Sequence, residues 1–160
     1  MTRRLTLALL ALASLCAPAA LAQEEEEPTK EDIVRESGPI CSEMTDATRR
    51  HVRKFRRATR QGNANKLVRH GRRFVQTSRP YVRELGRLDP PFEGGRGAYL
   101  RFVNNTDLAL DRLREYLRAV AHERPRKARR RARHSLTHVA RAERSAEKYG
   151  LRRSCVKLLT

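Results

Sequence analysis

The sequence lacks two short patterns that mark common catalytic and cofactor chemistry. No serine lies in a Gly-x-Ser-x-Gly elbow, and no Cys-x-x-Cys-His haem attachment is present. Cysteine is scarce, with three residues in the whole chain, so few thiols remain for nucleophilic catalysis. We therefore predict that the protein is not an enzyme, and we predict no cofactor.

A long apolar run is also missing beyond the first 22 residues. A transmembrane helix needs about 20 consecutive apolar residues, and no later stretch approaches that length. The N-terminus has the pattern of a signal peptide, with two arginines, an apolar segment at 5–15 and a small-x-small cleavage site at 20–22. We therefore expect an exported protein, extracellular or associated with the cell envelope, without a transmembrane segment. Cys16 raises a lipoprotein alternative, but Leu15 is larger than such sites prefer, which argues against it.

Acidic residues are few, since 18 Asp and Glu stand against 36 Lys and Arg. Half of the acids lie in residues 23–48, whereas residues 49–160 hold 32 basic and 9 acidic side chains. The start of the acidic segment has no apolar side chain to bury, which is typical of disorder. We divide the chain into a signal peptide (1–22), an acidic, mostly disordered leader (23–36) and a helical bundle domain (37–160).

Two matched segments carry residues on one helical face at alternating steps of four and three. The first seam runs from Leu67 to Leu88, and the second from Tyr99 to Val120. This spacing is typical of helices in bundles and coiled coils. The intervening prolines and glycines at 89–95 cannot continue a helix. The pattern predicts a helical hairpin, with a bend and not a break at Pro80.

A weaker seam lies on each side of this hairpin. The first helix is predicted to end near residue 60 and to follow an interruption at Ser37-Gly38-Pro39, with only a short capped turn after Thr29. The last is predicted over 126–149, with Leu136 among its inward residues and Gly150 at its end. Similar lengths and short loops predict an all-α, up-down-up-down four-helix bundle.

Two cysteines remain after signal-peptide cleavage, Cys41 and Cys155. An even count in an exported chain favours a disulfide. Four antiparallel helices return the chain to its starting end, whereas three would separate the two thiols by a helix length. Bridged Cα atoms lie within about 7 Å. We therefore predict one disulfide that joins the start of the first helix to the C-terminal tail.

Three short motifs carry a resemblance to a known group of proteins. They are Leu85-Gly86-Arg87-Leu88-Asp89-Pro90-Pro91, then Tyr99-Leu100, then Ala146-Glu147-Lys148-Tyr149-Gly150-Leu151 before Cys155. They resemble small exported helical proteins of GC-rich actinobacteria, which have an L-x-x-L-x-P-P hinge and a late cysteine that pairs with an early one. The resemblance covers most of residues 37–156 and implies fold and export. Those proteins have no assigned activity, and this chain is more basic than they are.

The densest basic cluster lies in the run 124–134, at the start of the last helix. The predicted polyanion-binding residues are Arg124, Arg126, Lys127, Arg129, Arg130, Arg131 and Arg133. Such density attracts polyanions by steering and counterion release. For an exported protein we expect phospholipid headgroups, phosphate-bearing wall polymers or extracellular DNA as partners. Export argues against intracellular nucleic acid, and no aromatic residues interleave with the run for base stacking. The alternative is a merely solvated face, with the acidic leader as an intramolecular partner.

Our best interpretation is an exported protein that binds anionic envelope material. Two further function classes stay open beside it. A partner-binding or chaperone-like helical protein would need an apolar groove and a contiguous exposed apolar patch. A metal or small-ligand carrier would need polar groups inside the bundle. His134 and His138 share a helical face at the spacing of two ligands, but no Glu or Cys nearby in sequence completes a site. We predict no metal site.

Overall fold

The computed structural model describes residues 28–156 of the chain. All regular secondary structure in this range is helical, which confirms the all-α prediction. The helices are α1 (Lys30–Arg60), α2 (Ala64–Leu85), α3 (Arg96–Ala121), α4 (Pro125–Tyr149) and α5 (Arg153–Val156). Helix α2 continues through Pro80, as predicted. The predicted signal peptide and residues 23–27 of the predicted leader lie outside the described residues.

Helix α1 begins earlier than the sequence suggested. The Thr29 hydroxyl accepts a hydrogen bond from the Asp32 amide at 3.2 Å, while the Thr29 amide donates to the Asp32 carboxylate at 3.0 Å. This reciprocal capping box satisfies two amide donors at the helix start. Ile33 is only 1% exposed, so the first turns of α1 are anchored in the core. Residues 30–36, which we assigned to the leader, are therefore helical.

The expected interruption at Ser37-Gly38-Pro39 is wrong, because α1 runs through it. Small residues here allow the C-terminal tail to approach closely. A Cβ added to Gly38 would lie 3.0 Å from the Arg152 Cδ, and the Ser37 carbonyl oxygen lies 3.6 Å from the Cys155 Sγ. Pro39 is exposed and removes a single backbone donor. The residues that suggested a helix break in the sequence thus form a site of close packing.

The long helices pack in the order in which they occur in the chain. Helix α1 contacts α2, α2 contacts α3, and α3 contacts α4, while the short α5 contacts both α1 and α4. Among the described residues, no Cα atom of α1 lies within 8 Å of a Cα atom of α4. Directly packed helices have axes about 8–10 Å apart and would show such pairs. A gap therefore separates the first long helix from the last.

The predicted disulfide is confirmed. Cys41 and Cys155 are bonded, with their Cα atoms 5.1 Å apart, and neither residue is more than 1% exposed. The bond ties α1 to α5, which follows α4 after three residues. Because α1 and α4 have no Cα atoms within 8 Å of each other, α5 and its disulfide provide a covalent tie between α1 and the chain that follows α4.

The motif residues behind the resemblance meet at this same end of the molecule. The Tyr99 hydroxyl donates to the Leu85 carbonyl at 2.8 Å, and the rings of Tyr99 and Tyr149 are 5.2 Å apart. Pro90 is fully buried, and the Lys30 ammonium lies 5.4 Å from the centre of the Tyr149 ring. Leu85, Pro90, Tyr99 and Tyr149 are buried, so these motif residues have a structural role in this protein.

Helix α2 approaches α1 and α3 closely at Gly71. A Cβ at this position would lie 2.6 Å from Leu117 Cδ2 and 3.0 Å from the Phe55 ring. Leu117 is fully buried, and both of its methyl carbons would lie within 2.8 Å of the added Cβ. We expect Gly71→Ala to lower the free energy of unfolding by about 1–2 kcal/mol, because overpacking outweighs the gain in helix propensity.

Urea denaturation of Gly71→Ala measures this effect, and Gly97→Ala provides the matched control. Gly97 is exposed in the first turn of α3, where only the guanidinium end of Arg101 lies near the added methyl group. The control is expected to gain about 0.5 kcal/mol from reduced backbone entropy of the unfolded chain. Equal stabilisation by both substitutions would contradict the tight contact at Gly71.

Candidate anion-binding surface and apolar groove

The seven predicted polyanion-binding residues lie at the N-terminal cap and in the first half of α4. Six are exposed and Arg131 is half-buried. Three of them, Arg124, Lys127 and Arg131, border a cleft of about 300 Å³ against α3. Arg118 of α3 and His122, the residue that follows α3, also line this cleft. The structure therefore brings part of the run together with cations that the run does not contain.

A second basic cleft, of about 450 Å³, lies between α2 and α3. Its cations are Arg72 and Arg79 of α2 and Arg114 and Arg118 of α3. Arg118 borders both clefts, so the two lie side by side. We call this surface the basic belt, defined by Arg72, Arg79, Arg114, Arg118, Arg124, Lys127 and Arg131.

Two carboxylates lie within the basic belt. Asp111 pairs with Arg79 and, at 3.2 Å, with Arg114. Glu115 lies 2.8 Å from the Arg131 Nε and 3.0 Å from Arg112. Each carboxylate is shared by two arginines, so their negative charge only partly offsets the positive charge of the belt.

Four belt cations have no carboxylate within 4.0 Å among residues 28–156. They are Arg72, Arg118, Arg124 and Lys127, and all four are exposed. Guanidinium groups bind phosphate oxygens through paired hydrogen bonds, and an ammonium group acts as a point charge. The belt can therefore bind several phosphate groups in succession along its length.

The other predicted residues do not join the belt. Arg129 borders a third cleft, of about 590 Å³, which shares Arg124 with the belt but is lined mostly by apolar residues such as Tyr116 and Val120. Arg126, Arg130 and Arg133 are exposed to solvent. Whether any of the seven binds a polyanion stays a prediction.

Sequence reasoning missed the belt residues of α2 and α3, although the sequence carries a signal for them. Arg72, Arg79, Arg114 and Arg118 each directly follow a seam residue: Gly71, Ser78, Leu113 and Leu117. A residue next to a buried seam lies at the border between core and solvent, beside the neighbouring helix. The local density of arginine, on which the prediction relied, does not detect such positions.

The two histidines considered as metal ligands have different surroundings. His134 is exposed, whereas His138 Nδ1 lies 3.0 Å from the Asn105 side-chain oxygen on α3. Burial, with the nearby charge of Arg141, lowers the pKa of His138. No group of three or more His, Cys, Asp or Glu side chains with metal-binding geometry occurs in the part of the chain that the structure describes.

A groove of about 350 Å³ occupies the gap between α1 and α4. Its floor is formed by Phe74 of α2 and Leu110 of α3, and both are buried. Its walls include Val52 and Phe55 of α1 and Val139 of α4. The lining is apolar except for Arg56 and Ser135, and the Ser135 hydroxyl donates to the Ala109 carbonyl at 3.0 Å.

Leu136 corrects one prediction for α4. We expected it to point inward, but it is 68% exposed at the edge of this groove. The neighbouring Ser135 is buried instead. An inward Leu136 requires a helix packed against α4 on that side, and α1 lies too far away to supply one. The exposed leucine is thus a consequence of the gap.

Within residues 28–156, no helix combines the length and the apolar content that crossing a bilayer requires. Comparison with other proteins gives no relative on which to base a functional assignment. No protein family, curated protein or solved structure matches this chain.

Proposed function

We propose that the protein is an exported binding protein that holds anionic, phosphate-bearing material of the cell envelope on its basic belt. The observation that carries this proposal is the convergence of cations from α2, α3 and the start of α4 on two adjacent clefts that share Arg118. Four of these cations lack a carboxylate partner in the described range. Like charges repel each other less when they are spread over a surface, so a face that is merely solvated gives no reason for these cations to converge.

The proposed location and topology have structural support. A buried disulfide in a chain with a signal-peptide pattern is typical of oxidising, extracytoplasmic compartments. We also propose the up-down-up-down arrangement of the four long helices. Contacts among Lys30, Leu85, Tyr99 and Tyr149 bring the start of α1, the end of α2, the start of α3 and the end of α4 to one end.

The belt favours a ligand with several phosphates over a single small anion. Each cleft is comparable with the smaller ligand pockets of proteins, which span about 300–1,000 Å³. Two clefts that share Arg118 suit a polymer of phosphate groups or the headgroups of a lipid surface. Both sources present phosphodiester oxygens at regular intervals.

A triple variant of the belt tests the proposal. Arg72→Gln, Arg118→Gln and Lys127→Gln together remove three cations that have no carboxylate partner in the described range, and the side chains are exposed, so folding is preserved. We expect about 100-fold weaker binding to inorganic polyphosphate and to phosphatidylglycerol vesicles, measured at low salt by calorimetry and co-sedimentation.

The control variant removes the same charge elsewhere. Arg87, Arg101 and Arg144 are exposed, lie outside the belt and have no ion pair among the described residues. Their replacement by Gln is expected to weaken binding about threefold, through net charge alone. Similar losses in the two triple variants would reject the belt as the binding site.

A second candidate, a protein that binds an apolar partner in a groove, is supported by one observation. The groove lies between α1 and α4 and exposes Leu136 at its edge.

A further inference from the structure

We infer that the groove between α1 and α4 binds a single acyl chain of an anionic lipid whose phosphate headgroup is held by cations on the flanking helices. The inference deepens the proposed function, on which it rests, because it selects lipid from the two possible sources of phosphate. The groove is apolar, open to solvent along its edge and separate from the basic belt.

The charge around the groove favours an anionic occupant. Helix α1 carries seven Lys or Arg and no acid from residue 47 to its end, and α4 carries seven and no acid from its start to residue 142. One of these cations, Arg56, is itself part of the groove lining. A neutral apolar ligand would leave this positive charge unneutralised, whereas the phosphate of an anionic lipid would supply a negative charge beside it.

The same charge argues against a second copy of this chain as the occupant. Two copies that meet along α1 and α4 would bring acid-free basic stretches together, at a cost in repulsion.

The size of the groove favours a thin chain over a helix of a partner protein. An α-helix with its side chains is about 10–12 Å across, whereas the groove volume lies at the lower limit of small-molecule pockets. An acyl chain has no backbone donors or acceptors to satisfy. The only polar hydroxyl in the lining, that of Ser135, already donates to the Ala109 carbonyl.

Leu136 offers a sharp test because it is exposed and contributes little to the core. The protein recovered after export is titrated with lysophosphatidylglycerol below its micelle concentration, and separately with glycerophosphoglycerol, the same headgroup without the chain. We expect the lipid to bind at least 10-fold more tightly than the headgroup, because burial of the chain adds apolar contact. Leu136→Gln is expected to weaken lipid binding about 10-fold and to leave headgroup binding unchanged.

Leu100→Gln is the matched control, since Leu100 is 47% exposed on α3 and lies outside the groove lining. It is expected to leave both affinities unchanged. A spin label on the acyl chain gives a direct readout of position, because it should broaden the methyl resonances of Val52, Leu113 and Val139.

Three outcomes would overturn the inference. They are equal affinities for lipid and headgroup, equal losses in Leu136→Gln and Leu100→Gln, and tighter binding of an acidic amphipathic helical peptide that depends on Leu136. Failure of the proposed function is distinguishable from these results. If polyphosphate does not bind but the lipid does so through Leu136, the basic belt is rejected and the groove is retained.

Discussion

Removal of the Cys41–Cys155 disulfide is expected to lower the free energy of unfolding by about 4–5 kcal/mol, because it releases a closed loop of over a hundred residues in the unfolded chain. The loss is large relative to the roughly 5–15 kcal/mol that stabilises a typical domain. It is also localised, since α5 and its disulfide form the link between α1 and α4. We therefore expect amides near residues 37–41 and 151–156 to exchange first in the reduced protein.

Urea denaturation of the oxidised protein, the reduced protein and a Cys41→Ala, Cys155→Ala double variant measures the effect. The double variant separates the loss of the covalent bond from the presence of two buried thiols. Addition of reductant to the double variant serves as the control and should not shift its midpoint. A difference below about 1 kcal/mol between the oxidised and reduced proteins would show that the bond does not stabilise the fold by loop closure.

Affinity for polyphosphate is expected to fall roughly 50-fold as monovalent salt is raised from about 50 to 200 mM. This value follows if four cations each release a condensed counterion with the slope typical of a flexible, single-stranded polyanion. The four are the belt cations without a carboxylate partner in the described range, Arg72, Arg118, Arg124 and Lys127. The measurement is a series of binding isotherms at increasing salt, plotted as the logarithm of affinity against that of salt concentration.

The triple belt variant should reduce this slope by about two, whereas the control triple variant should leave it nearly unchanged. Both variants carry the same net charge, so a difference in slope reports the place of contact and not the overall attraction. Affinity that is independent of salt would exclude binding by counterion release and would remove the basis for the belt proposal.

Much of the fold could be predicted because the helical pattern is local. The seam from Leu67 to Leu88 and the seam from Tyr99 to Val120 predicted α2 and α3 to within a few residues of their observed bounds. Gly150, with a left-handed backbone, ends α4 as predicted. Steric and periodic rules act within a few residues of the chain, which is the range that sequence inspection can follow.

The errors occurred where packing across the molecule outweighed local preference. Ser37-Gly38-Pro39 has the composition of a break, yet it lies within α1 because Arg152 and Cys155 pack against it. Leu136 fits the inward seam of α4, yet it is exposed because α1 lies too far away to cover it. In both places the outcome depends on parts of the chain that are distant in sequence.

The candidate site was predicted only in part for the same reason. The run on α4 was found by its density, but the belt needs Arg118 to connect it to Arg72 on another helix. The apolar groove had no signature in the sequence, since each of its walls has the pattern of an ordinary core-facing helix. Only the spacing of α1 and α4 makes it a groove.

The sequence by itself determined that the chain is helical, where α2, α3 and α4 lie, and that Cys41 pairs with Cys155, because periodicity, turn residues and cysteine number can all be read without knowing the packing. The tertiary structure alone decided which arginines share a surface and which apolar residues stay uncovered. Those properties depend on distances between helices, and such distances are set by side-chain volumes such as that of Leu117 against Gly71, summed over the whole core.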